Sequence, residues 1–382
     1  MQTKSKNPRM ELKTMKTKHP FIPLFKVYLP PEEILMPRLR DVLYSGQISE
    51  GEQVYEFENK FSSYVGLPNI LSFYSGTAAL HTALILAGVQ PGDEVISTPM
   101  TAEPTNMAIL HAGGKIVWAD VDPRNGNISP DSIADSITQK TRAIMVVHYG
   151  GIPAAMNHIR EIANTNGIPV IEDAAHVLGA CYGKEPIGMN SEYTMFSLQA
   201  IKHMTTVDGG MLACKNPADL PRGRKIRWFG IDRQASRTEV DVKEVGYKYH
   251  MNNVNATIGL VQLEHINPVV ERHIANGRYF DTALQEVSGI ELCTWDEEAE
   301  PSYWFYTVLA ERRDDLSRYL TEHGIGNSQA HKRNDLHSVF SASRCVLPGV
   351  DSFYSRMLHI PCGWWVADED RERIAVLIKR GW

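Results

Sequence analysis

Between Asn69 and Asp173, short apolar runs alternate with amphipathic stretches, and this rhythm constrains the fold more than any other feature of the chain. Asn69-Ile-Leu-Ser-Phe73, Glu94-Val-Ile-Ser97, Lys115-Ile-Val-Trp-Ala119, Ala143-Ile-Met-Val-Val-His148 and Pro169-Val-Ile-Glu172 read as strands. Thr77 to Ala87, Glu103 to His111, Pro130 to Ile137 and Ala154 to Asn164 carry apolar residues at helical spacing. Parallel strands need a long crossover, and a helix is the usual one. Strands this uniformly apolar are buried on both faces. The expected fold class is therefore α/β, a mainly parallel sheet sandwiched by helices.

Glu32 to Tyr44 and Gln53 to Tyr64 read as helices ahead of this region, and Gly66-Leu67-Pro68 stops the second. Beyond Gly210 the rhythm changes. Met211 to Cys214 reads as one more strand and Asn252 to Leu263 as a helix. A long polar helix follows over Pro268 to Val287, then shorter segments: the run Tyr303 to Leu309 and helices near Arg313 to His323 and Asp368 to Arg380. The expected organisation is a flexible tail over residues 1–20, a large α/β domain over 21–264 and a smaller C-terminal α+β domain over 265–382.

A net charge of −6 without a long basic stripe argues against nucleic acid or an anionic membrane as partner. Arg222, Arg224, Lys225 and Arg227 form a local basic cluster, which fits either a solvated surface or an anion contact. Five scattered cysteines without a C-x-x-C pair indicate neither a metal cage nor a disulfide framework, and suggest free thiols in a reducing cytoplasm. No run approaches the ~18 apolar residues of a membrane span, and no signal-peptide core is evident. Neither G-x-G-x-x-G nor G-x-x-x-x-G-K-[ST] occurs, so dinucleotide and P-loop chemistry lack a sequence warrant.

Three features carry the chemistry. Ser75-Gly76-Thr77 opens a helix, where unpaired N–H groups and the helix dipole favour an anion. Asp173 lies just past a strand's carboxyl end, where open α/β sheets bind ligands. Lys202 lies between the apolar run Phe196-Ser197-Leu198 and the turn Asp208-Gly209-Gly210. A desolvated lysine has a lowered pKa, and its neutral amine can form a Schiff base. Singly, each has a plainer explanation: a helix cap, a capping carboxylate, a surface charge. Jointly they offer a phosphate seat, a carboxylate and an amine, the partners that pyridoxal phosphate (PLP) requires.

With these residues in view, the chain resembles the sugar aminotransferases of the DegT/DnrJ/EryC1/StrS family over about residues 20–380. The carriers are Ser45-Gly-Gln-Ile-Ser-Glu-Gly51, Ser75-Gly-Thr-Ala-Ala-Leu80, Pro91-Gly-Asp-Glu-Val-Ile96, Glu172-Asp-Ala-Ala-His176, Phe196-Ser197 with Lys202, Asp208-Gly-Gly210, and Gly246-Tyr-Lys-Tyr-His-Met251 leading into Ala256-Thr-Ile-Gly259. The resemblance implies the aspartate-aminotransferase-like fold (fold type I), with Lys202 linking the cofactor and acting as acid and base. It implies Asp173 at the ring nitrogen, His176 near the phenolic oxygen, and Gly76, Thr77 and Ser197 at the phosphate. It further implies a homodimer with shared active sites, in which Lys248, standing where the family has asparagine, reaches the partner's phosphate. His331, Lys332, Arg333 and His337 fall where the family contacts substrate.

The resemblance implies transamination of a ketosugar, nucleotide-linked or of octulosonate type, with L-glutamate as donor. The aminosugar would feed a cell-surface glycan, such as a lipopolysaccharide O-antigen, or a secondary metabolite. Relatives that dehydrate sugars replace the lysine with histidine, and this chain keeps Lys202. A PLP-binding regulator without turnover is a further alternative. One departure bears on the site: Ala102 follows Thr101 where the family has an aromatic stacked on the cofactor ring, so either another side chain covers that face or it is more open.

Overall fold

The computed structural model describes residues 20–233 and 235–382; the expected N-terminal tail lies outside them as far as residue 19. In chain order the strands are β1 (Ile70–Phe73), β2 (Glu94–Ser97), β3 (Lys115–Trp118), β4 (Thr141–Val147), β5 (Val170–Asp173), β6 (Cys181–Tyr182), β7 (Glu185–Pro186), β8 (Tyr193–Ser197), β9 (Gly210–Cys214), β10 (Ile290–Leu292), β11 (Ala299–Glu300), β12 (Tyr306–Ala310) and β13 (Met357–Ile360). A seven-stranded sheet takes the order β1-β9-β8-β5-β4-β2-β3. The pairs β8/β5, β5/β4, β4/β2 and β2/β3 are parallel, and β9 runs antiparallel to both its neighbours, β1 and β8.

Successive side chains of a strand point to opposite faces, and here both faces are apolar. Leu71, Phe73, Val95, Met145, Met195 and Leu212 join one core. Ile70, Ile96, Ile144, Val146, Phe196 and Met211 join the core on the other side. This burial explains why the strands are continuous apolar runs rather than alternating ones. The Gly76–Leu86 helix is buried over most of its length, so it too is apolar nearly all round.

A second sheet, β10-β12-β13, is antiparallel and carries its own core, which includes Phe280, Val308, Leu316, Ile360 and Ile374. β13 lies outside the strand–helix rhythm that marks β1, β2, β3 and β5, and the two-residue strands are too short to show a period. Within the run 303–309 the strand starts only at Tyr306, because Tyr303 turns the chain with φ 50°. Two residues of the basic cluster already have carboxylate partners. Arg222 pairs with Glu244 at 2.6 Å, and buried Arg227 bridges Glu50 at 2.9 Å and Glu58 at 2.6 Å. Among the described residues no helix is long and apolar enough to cross a membrane.

Candidate active site

Register brings the chemistry to one edge of the large sheet. Gly210 of β9 lies opposite both Phe73 of β1 and Ser197 of β8, while Asp173 of β5 lies opposite Val147 and Met195. The chain leaves β1, β5 and β8 at this edge, toward Ser75–Thr77, Ala175–His176 and Gln199–Lys202. Residues of these loops, with others of Thr101–Thr105, Asp208, Gly209, Trp304 and His331, line a cavity of about 370 Å³.

At one end of the cavity the Ser75 hydroxyl accepts from Ala78 N–H at 3.1 Å and starts the Gly76–Leu86 helix. The N–H groups of Gly76 and Thr77 belong to the first turn, so they have no intrahelical acceptor. A side chain at position 76 would place its Cβ 2.9 Å from Sδ of Met195, and one at position 210 would sit 2.6 Å from the Ser75 carbonyl. Both glycines therefore let the corner close tightly. The Thr77 and Ser197 side chains line the same cavity.

Asp173 is buried. Its Oδ1 accepts from Ala175 N–H at 3.1 Å and its Oδ2 from the Thr105 hydroxyl at 2.7 Å. Burial pushes its carboxyl above the usual range, while these bonds and the charge of Lys202 pull it back. Beside it in sequence, Glu172 accepts from Nε2 of His148 at 2.8 Å, since Nδ1 of that ring accepts from Ala154 N–H at 3.0 Å. Thr105 carries no sequence signal of its own beyond its spacing from Thr101, one helical turn away, whose hydroxyl it meets at 2.8 Å.

Lys202 is partly exposed, yet its amine is crowded enough that desolvation pulls it down to about 7, with Asp173 opposing. Among the described residues no hydrogen bond or ion pair reaches this amine. It lies instead 3.8 Å from the centroid of the Trp304 ring. His176 stacks on the same indole at 3.9 Å, and burial keeps its imidazole neutral. Gly150 N–H approaches its Nδ1 at 3.4 Å, which leaves the proton on Nε2. In the sequence Trp304 is hidden inside a run that looks like an ordinary strand.

The remaining expected residues divide. His331 lines the cavity; burial lowers it to about 4, and its Nε2 is buried without a hydrogen-bond partner among the described residues. His337 stands 3.3 Å from Glu103, which lines the cavity. Lys332 is exposed and outside the cavity lining. Arg333, expected as a substrate cation, is not free to be one: it is buried, bonded to Asp335 at 2.7 and 2.8 Å and also to Asp351. Lys248 is exposed, bridges to Trp228 and lies outside this chain's own cavity lining. Ala102 lines the cavity; among the described residues the aromatic rings of the lining are His176, Trp304 and His331, none of them from the Ala102 loop.

The donor set suits pyridoxal phosphate. A helix start kept open by glycine could seat the phosphate, Asp173 could hold a protonated ring nitrogen, and the amine of Lys202 could reach the aldehyde. Bound there, the cofactor supplies an electrophilic carbon and a ring that accepts electrons.

Fold and site together define a fold type I, PLP-dependent aminotransferase. The profile of the DegT/DnrJ/EryC1/StrS aminotransferase family matches residues 32–379, and the chain belongs to that family. It is similar to the sugar aminotransferase CalS13 from Micromonospora echinospora, with 38% identity and a TM-score of 0.91 over 94% of this chain and 100% of that one. AtS13 from Actinomadura melliaura superposes with a TM-score of 0.92 at 38% identity, covering 96% of this chain and 100% of its own. The spore coat polysaccharide biosynthesis protein SpsC of Bacillus subtilis is 28% identical over 377 residues, 94% of this chain and 96% of SpsC.

Proposed function

We propose that this aminotransferase converts a nucleotide-linked or octulosonate-type ketosugar to an aminosugar, with L-glutamate as amino donor. It would act in the cytoplasm, supplying a surface polysaccharide such as an O-antigen or a secondary metabolite. One observation carries the proposal: the Lys202 amine, free of hydrogen bonds among the described residues and lowered to about 7, shares a cavity with buried Asp173 and the open helix start at Gly76 and Thr77. Each residue then has a task. The N–H groups of Gly76 and Thr77, with the Thr77 and Ser197 hydroxyls, bind the phosphate. Asp173 keeps the ring nitrogen protonated. Nε2–H of His176 donates to the phenolic oxygen. Nζ of Lys202 takes a proton from one carbon and returns it to another.

Residues 21–264 would form the cofactor-binding domain and residues 265–382 the smaller one. Two copies would assemble with Lys248 of each reaching the other's phosphate. His331 supports a polyhydroxylated substrate, because a buried Nε2 without a hydrogen-bond partner among the described residues, at the cavity wall, suits a sugar hydroxyl. Glu103 and Asp208 line the cavity and, among the described residues, no arginine does, so anionic groups of the substrate would bind outside this chain's share of the site.

The test is direct. Borohydride reduction of the PLP-loaded protein should leave the cofactor on the peptide containing Lys202. L-Glutamate should convert the bound cofactor to its amine form and yield 2-oxoglutarate in equal amount. A ketosugar should then restore the visible absorption. Failure to form 2-oxoglutarate would remove glutamate as donor, and failure of every ketosugar to restore the absorption would remove the sugar.

A further inference from the structure

We propose that Trp304 is a positioning residue for Lys202: its ring face holds the amine when it is a free cation, and its indole N–H fixes the peptide from which the lysine springs. The inference rests on the role proposed for Lys202, but the contact itself can be tested without it.

Several contacts converge on the indole. Nζ of Lys202 lies 3.8 Å from the ring centroid. Nε1–H donates to the Ile201 carbonyl at 2.9 Å, the peptide oxygen directly before Lys202. The ring stacks with His176 at 3.9 Å and 16°, and with Phe25 at 4.8 Å and 29°. The indole is thus wedged among rings while it grips the lysine at both ends, backbone and amine.

The backbone leading to it is also held. His203, next in sequence to Lys202, bonds to the Ser302 carbonyl at 3.2 Å. His273 bonds to the Tyr303 carbonyl at 2.8 Å. Ser302 N–H donates to the Gly151 carbonyl at 3.0 Å. Between these anchors Tyr303 takes φ 50°, the left-handed region that a bulky residue avoids. Surrounding structure must over-determine such a residue for it to persist. Here the strained turn brings residue 304 to the cavity wall before β12 begins.

The chemistry of this contact differs from that of an ion pair. Asp173 contributes an attractive charge to Lys202. His176, His203 and His331 also face it, and burial holds all three neutral. Glu103 and Asp208 line the same cavity. A carboxylate bonded to Nζ would tie up an N–H in a charged hydrogen bond and keep the amine protonated. An aromatic face attracts the cation through its quadrupole and offers no atom that takes the proton up. The amine is thereby steadied as an ammonium whose N–H groups remain available to a reacting carbon.

The experiment uses full-length protein freed of cofactor. Competitive acetylation across pH, read by mass spectrometry on the Lys202 peptide, gives the titration of that amine in wild type, Trp304→Phe, Trp304→Leu and Trp304→Met. Loss of the aromatic face in the Leu and Met variants should lower the midpoint by about half a unit to one unit. Trp304→Phe keeps a ring face and should hold the midpoint near that of wild type. It loses the bond to Ile201, however, and kcat in the loaded enzyme should fall about tenfold. Two aliphatic variants are used so that misfolding of one leaves the other to decide. An unchanged midpoint in a folded Leu or Met variant overturns the inference, as does a Phe variant that shifts as far as Leu. Borohydride trapping in wild type separates the two levels: cofactor absent from Lys202 defeats the functional proposal, whereas the titration judges Trp304 in either case.

Discussion

The Thr105 hydroxyl donates to Oδ2 of Asp173 at 2.7 Å, with the Thr101 hydroxyl a further 2.8 Å behind it. A donor to a buried carboxylate favours the ionised form, the form that a pyridinium nitrogen needs. Thr105→Val keeps the side-chain shape and removes the donor. Cofactor affinity should fall at least tenfold, on the order of the 1.5–3 kcal/mol typical of hydrogen bonds to charged groups. Thr105→Ser should recover most of it. Fluorescence titration with PLP measures both, and equal affinities for Val and wild type would show that Asp173 ionises without help.

Lys202 predicts a pH dependence. Its amine sits at about 7 in the folded protein against an ordinary 10.5. Cofactor attachment to the apoprotein should therefore rise with pH, half-maximal near 7, as the neutral amine forms. Between these two values the unfolded chain binds the extra proton, so folded-state stability rises with pH across that window. Lys202→Met removes this contribution. Urea unfolding of apoprotein over the same window should give a flatter curve for the variant; parallel curves would contradict a desolvated amine.

Gly76 offers a steric test. A methyl group there meets Sδ of Met195 at 2.9 Å, in the corner proposed for the phosphate. Overpacking of this kind costs about 1–3 kcal/mol. Gly76→Ala should weaken PLP binding and affect pyridoxal, which lacks the phosphate, much less. Met195→Ala in the same chain should return part of the loss. Equal weakening of both ligands would place the phosphate elsewhere.

Arg333 should behave as a structural residue. Its guanidinium is bonded to Asp335 and Asp351 and is buried with the first of them. Breaking a buried pair by removing one partner costs about 3–5 kcal/mol. Arg333→Leu should lose that much stability by chemical unfolding, with KM for the amino acceptor little changed in the folded fraction. A large rise in KM at undiminished stability would return Arg333 to the substrate site.

Lys248 tests the shared dimer. Lys202→Ala and Lys248→Ala proteins, each impaired, should regain partial turnover when mixed under conditions that form hybrid dimers. Recovery requires one hybrid site with both residues intact. Hybrids demonstrated by mass, yet as inactive as their parents, would confine each site to a single chain.

How far the sequence reveals all this depends on the range of the interaction. The large sheet is legible because strands buried on both faces are uniformly apolar, and the helices between them keep their own period. Gly76, Asp173 and Lys202 are legible because each lies close to a strand end or a helix start. Trp304 is not, because a turn at Tyr303, held by His203 and His273 from distant segments, decides where its side chain goes. Arg333 misleads for a related reason: it looks like a loop cation until Asp351 folds back onto it. In the small domain β12 lies within a legible apolar run, whereas β10 and β13 have no flanking rhythm and leave little local trace.

The place of β9 in the large sheet bears on how the protein matures. Among the described strands β1 has β9 as its only sheet neighbour, and β9 in turn joins it to β8. Until β1 pairs with β9, the segment that begins at Ser75 meets the one that carries Lys202 only through packing of its helix, without the sheet's hydrogen bonds between them. The β8–β9 pair is local, but the β1–β9 pairing is long-range and slow to form, because chain closure precedes the contacts that reward it. A newly made chain would thus complete the corner proposed for the phosphate when β1 joins the sheet, and uptake of colour from its vitamin-derived partner would report that moment.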